Sequence, residues 1–197
     1  MAVEAPRRMT EAEFFAWQER QDDRYEFVDG FPVRQTRMMS GASRRHDQIV
    51  VNLVAELRNQ LRGGPCRPFT ADTGVRTEGG RLRRPDVGVE CGPRNDRAFV
   101  ADRPRLVVEV LSPSTRENDM FGKLEEYRAL PGLEAILLIE PNAPQALLWT
   151  RGAEGDWAFR SLDGLDERAE VPSLGVSLPM GEIYADLSFP PPEDAAQ

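Results

Sequence analysis

Leu106-Val107-Val108-Glu109-Val110-Leu111 is the stretch on which the reading of this chain turns. Apart from Glu109 it is wholly apolar, and Ser112-Pro113-Ser114 closes it. A short, nearly continuous apolar run fits a central strand covered on both faces. The glutamate is the anomaly, because a carboxylate in a dry sheet costs several kcal/mol unless it is paired, hydrogen-bonded or bound to a metal.

After this run, Ser114-Thr115-Arg116-Glu117 is a capping box, and the helix it predicts extends to about Leu130, before Pro131-Gly132. A second apolar strand is expected at 135–139, and an antiparallel pair at 146–150 and 157–162. Before the run, short strands are expected at 67–69, 73–77 and 86–90, with Glu78-Gly79-Gly80 as a turn. Ile49, Val50, Leu53, Val54, Leu57 and Leu61 recur at helical spacing and predict a helix from Ser43 to about Arg62. Asp29-Gly30 between Tyr25-Glu26-Phe27-Val28 and Phe31-Pro32-Val33-Arg34 is a hairpin signal, with Pro32 on an edge strand or bulge. Thr10-Glu11-Ala12-Glu13 caps a first helix that reaches about Arg20. Helices alternating with strands in the middle of the chain imply an α/β (α+β) fold: a mixed sheet flanked by helices, with extra antiparallel strands.

The chain has 197 residues, 40% hydrophobic and 29% charged, enough for one globular domain with a sizeable core. That domain is expected at 9–188, after a flexible N-terminus at 1–8 and before a disordered Pro-rich acidic tail at 189–197. No apolar stretch approaches the roughly 20 residues of a membrane span, and the first residues lack the apolar segment of a secretory signal. Cys66 and Cys91 are the only cysteines and form no C-x-x-C pair, which points to a reduced, cytoplasmic protein without a zinc site. The net charge of -8 argues against a protein that coats nucleic acid through bulk electrostatics. Local basic clusters at Arg81, Arg83 and Arg84, and at Arg44 and Arg45, remain compatible with an enzyme that engages DNA.

Lysine is used once: of 25 basic residues, Lys123 is the sole exception to arginine. An ammonium is a compact point charge, unlike the planar guanidinium fork. Glu109 lies about 10 Å below the end of its strand at roughly 3.3 Å per residue. Lys123 lies about 12 Å along the following helix at roughly 1.5 Å per residue. A helix returning antiparallel to the strand therefore brings Lys123 level with Glu109, with Tyr127 one turn further on. Asp86 opens the strand after Pro85, and two carboxylates converging in a dry place would repel each other unless a divalent cation lay between them.

Pro85-Asp86, then Glu109, then a lysine resembles the PD-(D/E)xK nuclease signature. The wider text resembles the Uma-two family of restriction-endonuclease-like proteins. The matching pieces are Met9-Thr10, Tyr25 through Gly30, Ser43 through His46, Arg84-Pro85-Asp86-Val87, Leu106 through Thr115, and Asp119, Lys123 and Tyr127. They run in order over roughly residues 9 to 187. The general nuclease pattern sets its lysine two residues after the glutamate, where this chain has Leu111; the Uma-two pattern is similar to this chain in taking it from the next helix.

The resemblance implies a restriction-endonuclease-like core and metal-dependent hydrolysis of DNA phosphodiester bonds, with a homodimer cutting both strands. Asp86 and Glu109, with the Val110 carbonyl, would hold Mg²⁺ or Mn²⁺. Lys123 would position the attacking water. Glu26 is expected to assist if its strand points it into the cleft rather than into solvent. His46, on the helical face of Val50, Leu53 and Leu57, and Tyr127 are supporting candidates. Arg81, Arg83 and Arg84 are candidate phosphate contacts. The alternative is a regulatory module that binds nucleic acid or protein and keeps the nuclease fold without turnover.

Overall fold

The computed structural model describes residues 8–34, 43–93, 95–112 and 118–189, without the side chains of 118–120. In chain order the elements are α1 (Glu11–Gln18), β1 (Tyr25–Val28), β2 (Phe31–Arg34), α2 (Arg44–Gln60), β3 (Cys66–Thr70), β4 (Val75–Thr77), β5 (Arg81–Arg83), β6 (Val87–Cys91) and β7 (Pro104–Val110). A π-helical turn at Asn118–Lys123 runs into α3 (Leu124–Arg128). Then come β8 (Ala135–Glu140), β9 (Gln145–Arg151), β10 (Trp157–Asp163), β11 (Arg168–Val171), β12 (Val176–Pro179) and α4 (Met180–Ile183).

The period-2 alternation of β7 organises the molecule. Leu106, Val108 and Val110 pack with Ile49, Leu53 and Leu57 of α2 and with residues of α4. Val107 and Leu111 pack on the other face with Leu124, Tyr127 and Leu130. Glu109 falls on that second face by alternation, so its carboxylate is delivered towards α3. The six-stranded sheet has the order β10-β9-β8-β7-β6-β3. Only β7 and β8 within it are parallel, with Glu109 opposite Leu138, because the helix between them returns the chain to the same end. The sheet is thus mixed and flanked by helices, as the sequence implies.

A second sheet, β2-β1-β5-β4, carries α1 on a small core of Phe14, Phe27, Leu82 and Val100. Its hairpin turns at Asp29 (φ 52°) and Gly30 (φ 92°), the left-handed pair that a two-residue turn needs, and Pro32 lies on the edge strand β2. The Thr10 capping box forms as expected. Arg84-Pro85-Asp86 passes directly from β5 in the small sheet to β6 in the large one, so Asp86 stands at the seam between the two.

Several expectations change. Strand β5 is absent from the sequence reading, because three residues with two arginines after a Gly-Gly turn carry no strand pattern. The helix before β8 ends at Arg128, not Leu130, and its first described turn is π rather than α. Strands β11 and β12 and helix α4 were also unforeseen. Cys66 and Cys91, expected to be reduced, are joined in a disulfide: they are direct cross-strand partners in the β3–β6 ladder. Sequence spacing hid this pairing because it depends on the register of two strands. The Ser114 capping box, the side chain of Asp119, the N-terminal segment before Arg8 and the acidic tail after Phe189 lie outside the described residues. Among the described residues no helix is long and apolar enough to cross a membrane.

Candidate active site

Glu109 is 3% exposed and Lys123 5% exposed, and the two meet: Lys123 Nζ lies 3.1 Å from Glu109 Oε1. Tyr127, one helical turn after Lys123, donates its hydroxyl to the same oxygen at 2.8 Å. Strand alternation thus presents the carboxylate, and the i, i+4 spacing of the helix presents both of its donors. Burial, then the negative charges of Glu109 and Glu26, hold the Tyr127 pKa well above its ordinary value, so the phenol remains a donor.

Asp86 reaches the backbone of β7 one residue beyond Glu109. Its Oδ2 accepts the Val110 N–H at 2.8 Å, and His46 Nε2 lies 3.2 Å from the same atom. Ser43 caps α2 by accepting the His46 N–H, which fixes His46 in the first turn of that helix, facing the seam. His46 is therefore brought to Asp86, and Asp86 to the strand that carries Glu109.

Glu26 points inward, at 4% exposure. Its Oε1 lies 3.3 Å from Lys123 Nζ and accepts the Arg84 N–H at 3.3 Å; its Oε2 accepts from Arg83 Nη1 at 2.8 Å. Two of the three arginines of the cluster are buried, where the sequence suggested a solvated surface patch. Arg83 is 6% and Arg84 2% exposed. Arg84 donates to the carbonyls of Tyr25, Ala71 and Asp72, and burial lowers its pKa. Arg83 spans Glu26 and Glu126. Burial opposes its charge, but the hydrogen bonds it donates to Glu126 and Glu26 and the charges of those carboxylates win, and its pKa is raised. Arg81 alone keeps substantial exposure, paired with Asp29 at 2.8 Å and Glu126 at 3.2 Å.

Glu126 and Thr77 went unnoticed in the sequence. Thr77 Oγ1 donates to Glu126 Oε2 at 2.8 Å, and Arg83 holds Glu126 through Nε and Nη2 at 2.8 and 2.6 Å. The available signal was that Glu126 falls three residues after Lys123, on the turn that also presents Tyr127. Among the described residues, no three His, Cys, Asp or Glu side chains group closely enough to form a metal site of protein side chains alone. Asp86 and the strand that carries Glu109 are joined by the hydrogen bond from the Val110 N–H to Asp86.

A mixed sheet with one parallel pair, a Pro-Asp lead-in to one strand and a buried glutamate on the next defines a restriction-endonuclease-like architecture. The Uma2 family model, described as "Putative restriction endonuclease", matches residues 11–181. The chain belongs to the Uma2 family. It is 34% identical over 185 residues to the uncharacterised protein slr1290 of Synechocystis sp., covering 92% of this chain and 94% of that one. A second uncharacterised Synechocystis protein, sll1609, is 26% identical over 175 residues, 87% of this chain and 96% of that one. Among solved structures, one described as a putative nuclease belonging to DUF820 from Anabaena variabilis ATCC 29413 superposes with a TM-score of 0.69. That match covers 88% of this chain and 96% of the other at 17% identity, a likeness of fold.

Proposed function

We propose that this chain is a divalent-cation-dependent endonuclease that hydrolyses phosphodiester bonds in DNA, working as a homodimer. The observation that carries the reading is the delivery of the sole lysine, from the helix after β7, to Glu109 beside Asp86. Membership of a family described as restriction endonucleases supports the same class.

The donor set fits Mg²⁺ or Mn²⁺. Asp86, Glu109 and the Val110 carbonyl offer hard oxygen atoms, and Mg²⁺ is commonly held by one or two carboxylates with water completing its shell. When bound, such an ion supplies Lewis acidity at a phosphoryl oxygen and acidifies a water. The chain's own residues do the rest. Lys123 orients the attacking water and stabilises charge that develops on the phosphate. Tyr127 and Lys123 together hold one oxygen of Glu109, fixing the carboxylate's orientation. His46 and the Val110 N–H hold Asp86 in the same way. Arg81 is left as the candidate of its cluster for a phosphate contact.

Nicking of supercoiled plasmid with Mg²⁺ or Mn²⁺ tests this reading, comparing wild type with Asp86→Ala and Lys123→Ala. Cation-dependent cutting lost in both variants is the expected result; no cutting by folded wild type on DNA or RNA overturns it. One observation favours a second reading, a non-catalytic binding module. With Arg83 and Arg84 buried, little of the basic cluster remains to offset a net charge of -8 against a polyanion. A thermal shift with Mn²⁺ that Asp86→Ala removes, without any cutting, would select that module.

A further inference from the structure

Both carboxylate oxygens of Glu26 are committed within the protein. Oε1 serves the Lys123 ammonium and the Arg84 N–H, and Oε2 serves Arg83. Asp86 differs, since its contacts among the described residues run through Oδ2. A carboxylate that bound a metal in place of these partners would take one of its carboxylate partners from a guanidinium and from an ammonium, each almost fully buried. Breaking a buried pair by removing one partner is among the costlier changes a protein can suffer.

The guanidinium is anchored on both sides of the seam. Arg83 rises from β5, takes Glu26 of β1 with one nitrogen, and takes Glu126 of α3 with the other two. Glu126 lies three residues after Lys123 on the same helical segment. Arg83 therefore fixes the carboxylate that receives the ammonium and also the depth of the helix that delivers it. A planar fork grips Glu126 with two nitrogens and still has a third for Glu26, a bidentate hold that a point charge does not give.

We propose that Glu26 is a positioning residue that seats the Lys123 ammonium, and that Arg83, clamped to Glu126, holds that seat; neither is a ligand for the metal. The geometry of the seat stands by itself, and its purpose rests on the nuclease reading above. Arg83 is thereby reassigned from phosphate contact to internal strut. Its burial follows from this role, since a clamp spanning two carboxylates must lie between the sheet and the helix.

The chain supplies its own probe, because Lys123 is its only lysine. Acylation by an amine-reactive ester, read by mass spectrometry at Lys123, reports how often the seat opens, with the N-terminal amine as an internal control. Glu26→Gln and Arg83→Met are each expected to speed labelling at Lys123 by about tenfold or more. Leu178→Ala, which destabilises the core on the opposite face of the sheet, is expected to leave the ratio of Lys123 to N-terminal labelling near wild type. Mn²⁺ affinity measured by calorimetry is expected to survive Glu26→Gln within about twofold and to be lost in Asp86→Ala, while the nicking rate of Glu26→Gln falls. Unchanged labelling in the isosteric Glu26→Gln overturns the proposal, and that variant decides the matter even if Arg83→Met does not fold. Loss of Mn²⁺ binding in Glu26→Gln also overturns it. Failure of wild type to bind Mn²⁺ or to cut would sink the nuclease reading and leave the labelling result to judge the seat.

Discussion

Tyr127 donates its hydroxyl to Glu109 Oε1 at 2.8 Å from a side chain that is completely buried. Lys123 approaches the same oxygen at 3.1 Å, so a neutral and a charged donor share one carboxylate atom. The phenol cannot release its proton easily there, because burial and the charges of Glu109 and Glu26 all oppose a second anion. Glu109 is thus oriented by two side chains of one helix, and the direction of its other oxygen follows from theirs.

Tyr127→Phe keeps the packing and removes the donor. A hydrogen bond to a charged group contributes about 1.5–3 kcal/mol, and the variant is expected to lose stability in that range. Urea unfolding would show a lower midpoint at an unchanged slope, since the surface buried on folding hardly changes. An unchanged midpoint would mean that the hydroxyl contributes nothing to holding Glu109.

Lys123→Met should cost about 3–5 kcal/mol, because it leaves two carboxylates buried without their ammonium. Glu109→Gln removes one of those charges. The Lys123→Met, Glu109→Gln double variant is therefore expected to be more stable than the sum of the singles predicts, with a coupling of about 1–3 kcal/mol. Denaturant titration of all four proteins measures the cycle. Additive losses would show that the pair does not act as a unit.

Much of this site was legible in the sequence because its residues sit on strongly periodic elements. Glu109 interrupts an apolar strand, and the rise per residue along strand and helix brings Lys123 level with it. His46 follows a capping serine, and Glu26 sits beside the Asp29-Gly30 hairpin. What escaped notice depends on pairing between distant segments. Strand β5 has only three residues, too few for an alternation to register; it exists because β1 and β4 flank it. Once it is in place, Arg83 must turn inward, which a string of arginines does not reveal. The Cys66–Cys91 bond likewise needs the β3–β6 register, which no local pattern encodes.

Glu126 gives the clamp a pH signature. Burial pushes its pKa up, but the hydrogen bonds from Arg83 and Thr77 outweigh burial, and the pKa lies below the ordinary 4.5. A carboxylate depressed in the folded state adds stability above its unfolded pKa, and that contribution is lost as pH falls through the folded value. Glu126→Gln should therefore be less stable than wild type at neutral pH, with the gap closing below about pH 4.5. Melting temperatures from pH 7 down to pH 3 test this. A gap that stays constant over that interval would remove Glu126 from the set of groups linking protonation to folding.

The disulfide offers the sharpest contrast between sequence and structure. It closes a loop of 25 residues' separation, from the edge strand β3 to β6, the strand that Asp86 leads into. Constraining the unfolded chain by a loop of that length is worth about 3.5 kcal/mol in the loop-entropy account. Reductant should thus lower the melting temperature of wild type and leave a Cys66→Ser, Cys91→Ser variant unmoved. Because β3 pairs, among the described residues, only with β6, reduction should loosen that edge before the central strands, giving faster amide exchange at 66–70 than at 135–140. Denatured, unreduced protein is expected to show no thiol reactive to a colorimetric reagent. Two titratable thiols in that sample would establish that the cysteines are neighbours without a bond, and the reductant effect would then vanish with it.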